Sequence, residues 1–316
     1  MKNIILYGAG KRGKKIADLL KRRNILISGF CDSNISGQKI EWGGVMVPVY
    51  SLGWLVEKRE ECLVIVTIAD YYERRKVEKN LKELGIKYTT EEALLKEDSS
   101  DIIEGNRKYI ADYHLYEMEN YFKIAESEDN IKIFWREESE FRKLFSFLDL
   151  DHVVELACGR GRHVPQYIES ANEVILIDIL DKNIEYCKER FRNISKIQYY
   201  VNNGHDLRQL ASDSCSALFT YDAMVHFEML DIFEYLKETR RVLKPGGRAL
   251  FHHSNNTEDY RITFSTGTNG RNYMAKQLFA YLADRAGLEV LEQRVIDWGG
   301  KKDLDCLTLV EKDSIE

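Results

Sequence analysis

One pattern constrains this chain more than any other, and it occurs twice: a short apolar run, a glycine-bearing loop, a helix-like stretch, and a second apolar run that ends in aspartate. Near the N-terminus it reads Ile4-Ile5-Leu6-Tyr7-Gly8-Ala9-Gly10-Lys11-Arg12-Gly13, with Asp32 ending the next run 19 residues after Gly13. Past the middle it reads Val153-Val154-Glu155-Leu156-Ala157-Cys158-Gly159-Arg160-Gly161-Arg162, and Asp178 ends the run Val174–Ile177, 23 residues after Glu155. Glycines at such a turn let backbone amides approach a bound group, because no Cβ stands in the way. A carboxylate closing the second strand is placed to accept hydrogen bonds from ribose hydroxyls. Strands that alternate with helices in this way predict an α/β fold with mainly parallel sheets.

At about 150 residues per domain, 316 residues suggest two domains. Strand and helix patterns alternate from Lys2 to about Leu95, and the acidic run Lys96-Glu97-Asp98-Ser99-Ser100-Asp101 then reads as a boundary. Residues 104–147 hold no proline and carry Tyr109, Tyr113, Tyr116, Tyr121, Trp135, Phe141 and Phe145 at helical intervals, which predicts two or three helices. From Val153 onward, strands and helices alternate again. The expected organisation is a first domain over 1–97, a helical linker or cap over 98–147, and a second α/β domain over 148–316.

Residues 1–95 carry a formal charge of +5 and the remainder −11, so the chain as a whole stands at −6. That balance argues against nucleic acid or an anionic membrane as the main partner and favours a small-molecule substrate. No apolar run approaches the 18 or so residues of a membrane span. The N-terminus runs straight into a strand pattern, and the six cysteines form no C-x-x-C pair. A cytoplasmic protein with reduced thiols and no bound metal is expected, and a homo-oligomer stays open.

Further motifs follow the second glycine loop in order. Asp206, in Asn203-Gly204-His205-Asp206-Leu207, is placed to take the exocyclic amine of an adenine, and Arg241-Val242-Leu243-Lys244-Pro245-Gly246-Gly247 precedes the fifth strand. Taken together, residues 130–312 resemble class I S-adenosylmethionine-dependent methyltransferases. The resemblance implies that Glu155 and the loop Ala157, Cys158, Gly159 and Gly161 face the methionine part of the cofactor, Asp178 the ribose and Asp206 the adenine. Ile179 and Leu207 would sandwich the adenine ring, and Tyr221 would border the same site. Ala157 departs from the pattern, since family members often carry glycine there.

Methyl transfer to a hydroxyl calls for a base near neutrality. His226 follows the fourth strand, and His252 and His253 end the fifth, so period-two alternation turns one of that pair toward the crevice. His253 and His226 are the expected catalytic residues, in that order, with Asp222 as an alternative acid. A His226, His253 and Asp222 metal site is not required by the spacing. Arg271, Asn272 and Asn255 are candidates for holding the acceptor, with Tyr116, Tyr121 and Trp135 lining its pocket.

The first unit matches the dinucleotide fingerprint through Gly8, Gly10, Gly13 and Asp32, yet it is short for a dehydrogenase and no catalytic constellation follows. It resembles the small Rossmann-like domains attached to bacterial sugar-modifying and surface-polysaccharide enzymes. NAD(P) or another nucleotide there stays open. Together the two resemblances imply a methyltransferase that methylates a hydroxyl of a sugar, a nucleotide sugar or a similar polar small molecule, in carbohydrate biosynthesis. The competing readings are an NAD(P)-dependent oxidoreductase or epimerase and a non-catalytic nucleotide-binding scaffold.

Overall fold

The computed structural model describes residues 2–95 and 102–314. The acidic run expected as a boundary lies outside the described residues. By its contacts the chain divides into two compact units, residues 1–116 with 265–267, and residues 117–264 with 268–316.

The first unit runs β1 (Asn3–Tyr7), α1 (Lys11–Arg22), β2 (Gly29–Cys31), β3 (Lys39–Trp42), β4 (Val45–Tyr50), α2 (Leu52–Glu57), β5 (Cys62–Val66), α3 (Tyr71–Glu83), β6 (Tyr88–Thr90) and α4 (Glu91–Leu95). Its sheet has the order β3-β4-β2-β1-β5-β6. All neighbours are parallel except β3 and β4. The hairpin of β3 and β4 adds to the expected elements; it turns at Gly43-Gly44, with φ of 59° and 81°, the left-handed pair that a two-residue hairpin turn needs. Gly13 is required by close approach, since a Cβ there would lie 1.9 Å from the Gly8 carbonyl oxygen.

Three helices follow: α5 (Ile102–Ala125), α6 (Glu128–Trp135) and α7 (Glu140–Phe145). Ser127 and Ser139 cap the last two by accepting from the amides of Asn130 and Arg142, which fixes both helix starts.

The second unit continues through β7 (His152–Leu156), α8 (Val164–Tyr167), β8 (Glu173–Asp178), α9 (Asp181–Arg190), β9 (Ile197–Val201), β10 (Cys215–Thr220), α10 (Met229–Val242), β11 (Leu243–Ser254), α11 (Lys276–Arg285), β12 (Leu288–Trp298) and β13 (Lys301–Lys312). The sheet order is β12-β13-β11-β10-β7-β8-β9. The inner strands are parallel, and β13 runs antiparallel between β11 and β12.

Alternation along the strands divides the apolar core between the two faces. Val153, Leu176 and Phe219 join one cluster. Val154, Ile175, Leu218 and Phe251 join the other. All six cysteines are buried and none is in a disulfide. No helix among the described residues is long and apolar enough to cross a membrane.

Candidate functional site at the carboxyl ends of the second sheet

The ends of β7, β8, β10 and β11 converge at the glycine loop, the position where open α/β sheets take ligands. Asp178 is its organising residue. Its Oδ1 accepts from the Leu180 amide at 2.8 Å and from Asn183 Nδ2 at 3.1 Å, and its Oδ2 accepts from the Gly159 amide at 2.9 Å. Burial raises the pKa of this carboxyl, and those three donors pull it back down. A carboxylate offers about four lone-pair positions. One therefore remains, on Oδ2, where the sequence had suggested two for ribose.

Beside it lies a second acceptor that the sequence did not reveal. Asn183 is buried, and its Oδ1 has no hydrogen-bond partner. A buried orphan acceptor is costly unless a ligand supplies the donor. Two acceptors of this kind are chemically suited to the hydroxyls of a ribose, as an adenosyl cofactor would bring.

Glu155 lies beneath the loop, fully enclosed, and accepts from the Tyr167 hydroxyl at 2.7 Å. Burial pushes its carboxyl up to about 8, against smaller downward pulls from Tyr167 and Arg162. In the loop itself, Gly159 and Gly161 have positive φ, and a Cβ on Gly161 would meet the Phe191 ring at 2.6 Å. Ala157 also has positive φ, 56°. Its methyl group is tolerated, but the backbone is held in a region that costs an L-residue about 1–2 kcal/mol. Ala157→Gly is therefore expected to stabilise the fold by about 0.5 kcal/mol, because relief of that strain exceeds the extra freedom of glycine in the unfolded chain. The usual alanine-to-glycine loss in chemical denaturation would contradict this.

Next to the loop is a buried ionic cluster. Asp222 has φ of 54°, and its Oδ2 accepts from the Tyr121 hydroxyl at 2.7 Å and from Arg162 Nη2 at 3.0 Å. Burial alone would raise the Asp222 pKa, but Arg162, Arg271 and the neighbouring histidines outweigh it and hold the carboxylate ionised. His252 accepts from the Asp222 amide through Nδ1 at 2.9 Å, so its proton sits on Nε2 and is donated to Asp305 Oδ2 at 3.0 Å. Arg271 clasps Asp305 with Nε at 3.0 Å and Nη2 at 2.6 Å.

Several expected assignments are corrected by this geometry. His253 points to the other face, where its ring stacks on Phe279 with centroids 3.8 Å apart. Its nitrogens engage the Ser254 carbonyl and the Thr308 hydroxyl, both at 2.8 Å, and burial lowers its pKa to about 3. It is a core residue, and it forms no metal site with Asp222 and His226. Among the described residues no group of three His, Cys, Asp or Glu side chains is arranged to hold a metal.

Arg271 is consumed by Asp305, while Asn272 Nδ2 donates to the His226 carbonyl at 2.7 Å. Asn255 bridges the Asp303 carbonyl and the Lys276 amide. These three hold the loop after β11 rather than present polar groups to a ligand. Asp206 is clamped by Arg208 and by Asn203 Nδ2 at 2.7 Å, and the hydrogen bonds from Arg208 keep it ionised, which leaves little capacity for an adenine amine. Leu207 is fully buried in the core, while Ile179 is half-buried. Tyr221 lies under Phe141 and stacks on His252, with centroids 4.6 Å apart.

Of the expected pocket aromatics, Tyr121 reaches Asp222, Trp135 donates to His163 Nδ1 at 3.0 Å, and Tyr116 donates to Asp18 in the first unit. Cys158 is buried, with its sulfur against the Gly159 carbonyl. His226 lies in the single turn Met224–His226 that follows β10, its Nδ1 2.8 Å from the Gly270 carbonyl oxygen. A carbonyl only accepts, so Nδ1 carries the proton and Nε2 is the basic nitrogen of the neutral ring.

In the first unit the same architecture recurs in reduced form. Asp32 Oδ2 accepts from the Ala9 amide at 3.1 Å and Oδ1 from the Asn34 amide at 2.9 Å. A Cβ placed on Gly10, at the start of α1, would meet nothing within 4 Å. Arg12 is held by Glu91 at 2.6 Å.

The comparisons agree with the two units. Residues 154–251 match the family described as a methyltransferase domain. The second unit thereby carries a methyltransferase domain. Residues 3–81 match the family described as the PglD N-terminal domain, so the methyltransferase domain follows a domain of that kind. No curated protein matches the chain.

Similar solved structures include an S-adenosylmethionine-dependent methyltransferase from Methanosarcina mazei, 16% identical, covering 54% of this chain and 97% of that one with a TM-score of 0.46. Another, from Mesorhizobium loti, is 15% identical, with coverage of 55% and 97% and a TM-score of 0.46. A third, from Aquifex aeolicus, is 14% identical, with coverage of 61% and 97% and a TM-score of 0.46.

Proposed function

We propose that the chain transfers a methyl group from S-adenosylmethionine to a hydroxyl of a sugar, a nucleotide sugar or a similar polar small molecule in carbohydrate biosynthesis. The observation that carries the cofactor assignment is the open lone pair of Asp178 Oδ2 beside the orphan Oδ1 of Asn183, under a loop of left-handed glycines. Asp178 and Asn183 hold the ribose, Ile179 packs against the adenine, and the Ala157–Gly161 loop with Glu155 faces the methionine part.

When bound, the cofactor supplies a methyl group already activated on a sulfonium. What the protein adds is position and proton removal. His226 takes the acceptor hydroxyl proton on Nε2, held in that tautomer by the Gly270 carbonyl. Asp222, ionised beside Tyr121 and Arg162, fixes the local field.

The acceptor class rests on the first unit. Gly8 and Gly13 form its turn, Gly10 leaves open space at the helix start, Lys11 and Lys14 stand in the first turn, and Asp32 holds the loop. Helix N-termini of this kind favour phosphate. We read it as a nucleotide-sugar-binding unit in a cytoplasmic enzyme.

The test is release of S-adenosylhomocysteine by the full chain on a panel of free sugars, sugar phosphates and nucleotide sugars. Turnover confined to hydroxylated carbohydrate acceptors is expected. Turnover on amine or protein acceptors alone would overturn the proposal.

A further inference from the structure

The second unit also contains a cleft of about 730 Å³ that does not include the glycine loop or Asp178. Glu126 precedes α6, Trp135 ends it and Arg136 follows it, and Arg162, Gln166 and Arg190 complete the lining used here. Glu126 Oε1 is buried without a hydrogen-bond partner, while its Oε2 stands 3.5 Å from Arg190 Nη1. An unfilled carboxylate oxygen there calls for a donor.

Arg136 is exposed and makes no ion pair among the described residues, so a guanidinium is available to an anion. The Gln166 amide can both donate and accept. Trp135 is held rigidly, by its hydrogen bond to His163 and by edge contacts with Phe141 and Phe145 at 5.2 and 4.9 Å.

A fixed aromatic ring, a carboxylate oxygen in need of a donor, an amide and an available guanidinium together suit a hydroxylated ring that carries an anionic group. Arg162 joins this cleft to the cofactor side, since the same side chain that lines it also pairs with Asp222 at 3.0 Å.

We propose that this cleft is the acceptor subsite and takes the hexose phosphate portion of the methyl acceptor, with Glu126 Oε1 accepting from a ring hydroxyl and Arg136 holding the phosphate. The inference rests on the carbohydrate reading above and deepens it. Hexose phosphate is shared by free sugar phosphates and by nucleoside diphosphate sugars.

The experiment is calorimetry on the full chain with glucose, galactose and mannose 1-phosphates, UDP-glucose, glucose and inorganic phosphate, each without cofactor. Saturable binding of at least one hexose 1-phosphate is expected, weakened about tenfold by Glu126→Gln and by Arg136→Ala, which each remove one charge-assisted hydrogen bond. Both positions lie at the open cleft, and circular dichroism checks that the variants fold.

An equal loss for UDP-glucose assigns the nucleotide-linked source; a loss for the 1-phosphates alone assigns the free one. No saturable hexose phosphate binding, binding indifferent to both variants, or inorganic phosphate binding as tightly as the sugar phosphate would each overturn the proposal. S-adenosylmethionine affinity measured on the same variants should stay at the parent value. Its absence in the parent would count against the methyltransferase reading and leave the cleft result standing.

Discussion

Replacing Glu155 by glutamine is expected to remove a steep loss of stability between pH 5 and 8. An unfolded glutamate releases its proton near pH 4.5, whereas burial holds the proton on Glu155 up to about pH 8. Between those values the native chain binds more protons than the unfolded chain, so stability falls as pH rises. At about 1.4 kcal/mol for each pH unit, the fall reaches roughly 3–5 kcal/mol by pH 8.

Glutamine keeps an oxygen to accept from Tyr167 and has no proton to lose, so the variant should gain on the parent by that amount as pH rises. Urea unfolding of both proteins at pH 5, 6.5 and 8 measures the difference. A stability difference independent of pH would mean that Glu155 is ionised in the folded chain. A cationic cofactor beside this carboxyl would favour its charged form, so binding near pH 7 should release a proton, read as a dependence of the calorimetric heat on the buffer's ionisation enthalpy.

The second large effect concerns His226. If its Nε2 removes the acceptor proton, His226→Ala should lower kcat by about 10²–10⁴ and leave cofactor affinity nearly unchanged. His253→Gln should leave kcat near the parent value, because that ring is sealed between Ser254, Thr308 and Phe279 on the opposite face of β11. The effect of His253→Gln belongs to stability instead. A His226→Ala enzyme that turns over at the parent rate from pH 6 to 8 would exclude a histidine base and leave the transfer to proximity.

Both glycine loops and both acid-ended strands were legible in the sequence because each motif is local: a turn, a cap or a strand end is dictated by residues a few positions apart. The side chains' partners were less legible because they depend on which strand lies next to which. Alternation showed that one of His252 and His253 faces the crevice, but the choice turns on Asp305 in β13, antiparallel to β11 and more than fifty residues away. A lone carboxylate in the apolar run Leu304 to Val310 was the available signal. Asn183 carries no local signal, because an asparagine early in a helix more often serves the helix itself. Arg162 stood beside the glycines in plain view, yet nothing local ties it to Asp222, sixty residues on. Arg271 looked like an anion ligand, and its anion proved to be Asp305 of the same chain.

The most direct measurement is calorimetric titration of S-adenosylmethionine and of NAD into the full chain and two variants, Asp178→Asn and Asp32→Asn. Losing the ribose hydrogen bond to a charged acceptor costs roughly 1.5–3 kcal/mol, about 10- to 100-fold in affinity. One S-adenosylmethionine is expected to bind per chain, weakened by that factor in a folded Asp178→Asn and unchanged in Asp32→Asn. Binding that survives intact in Asp178→Asn, or is lost in Asp32→Asn instead, would contradict this.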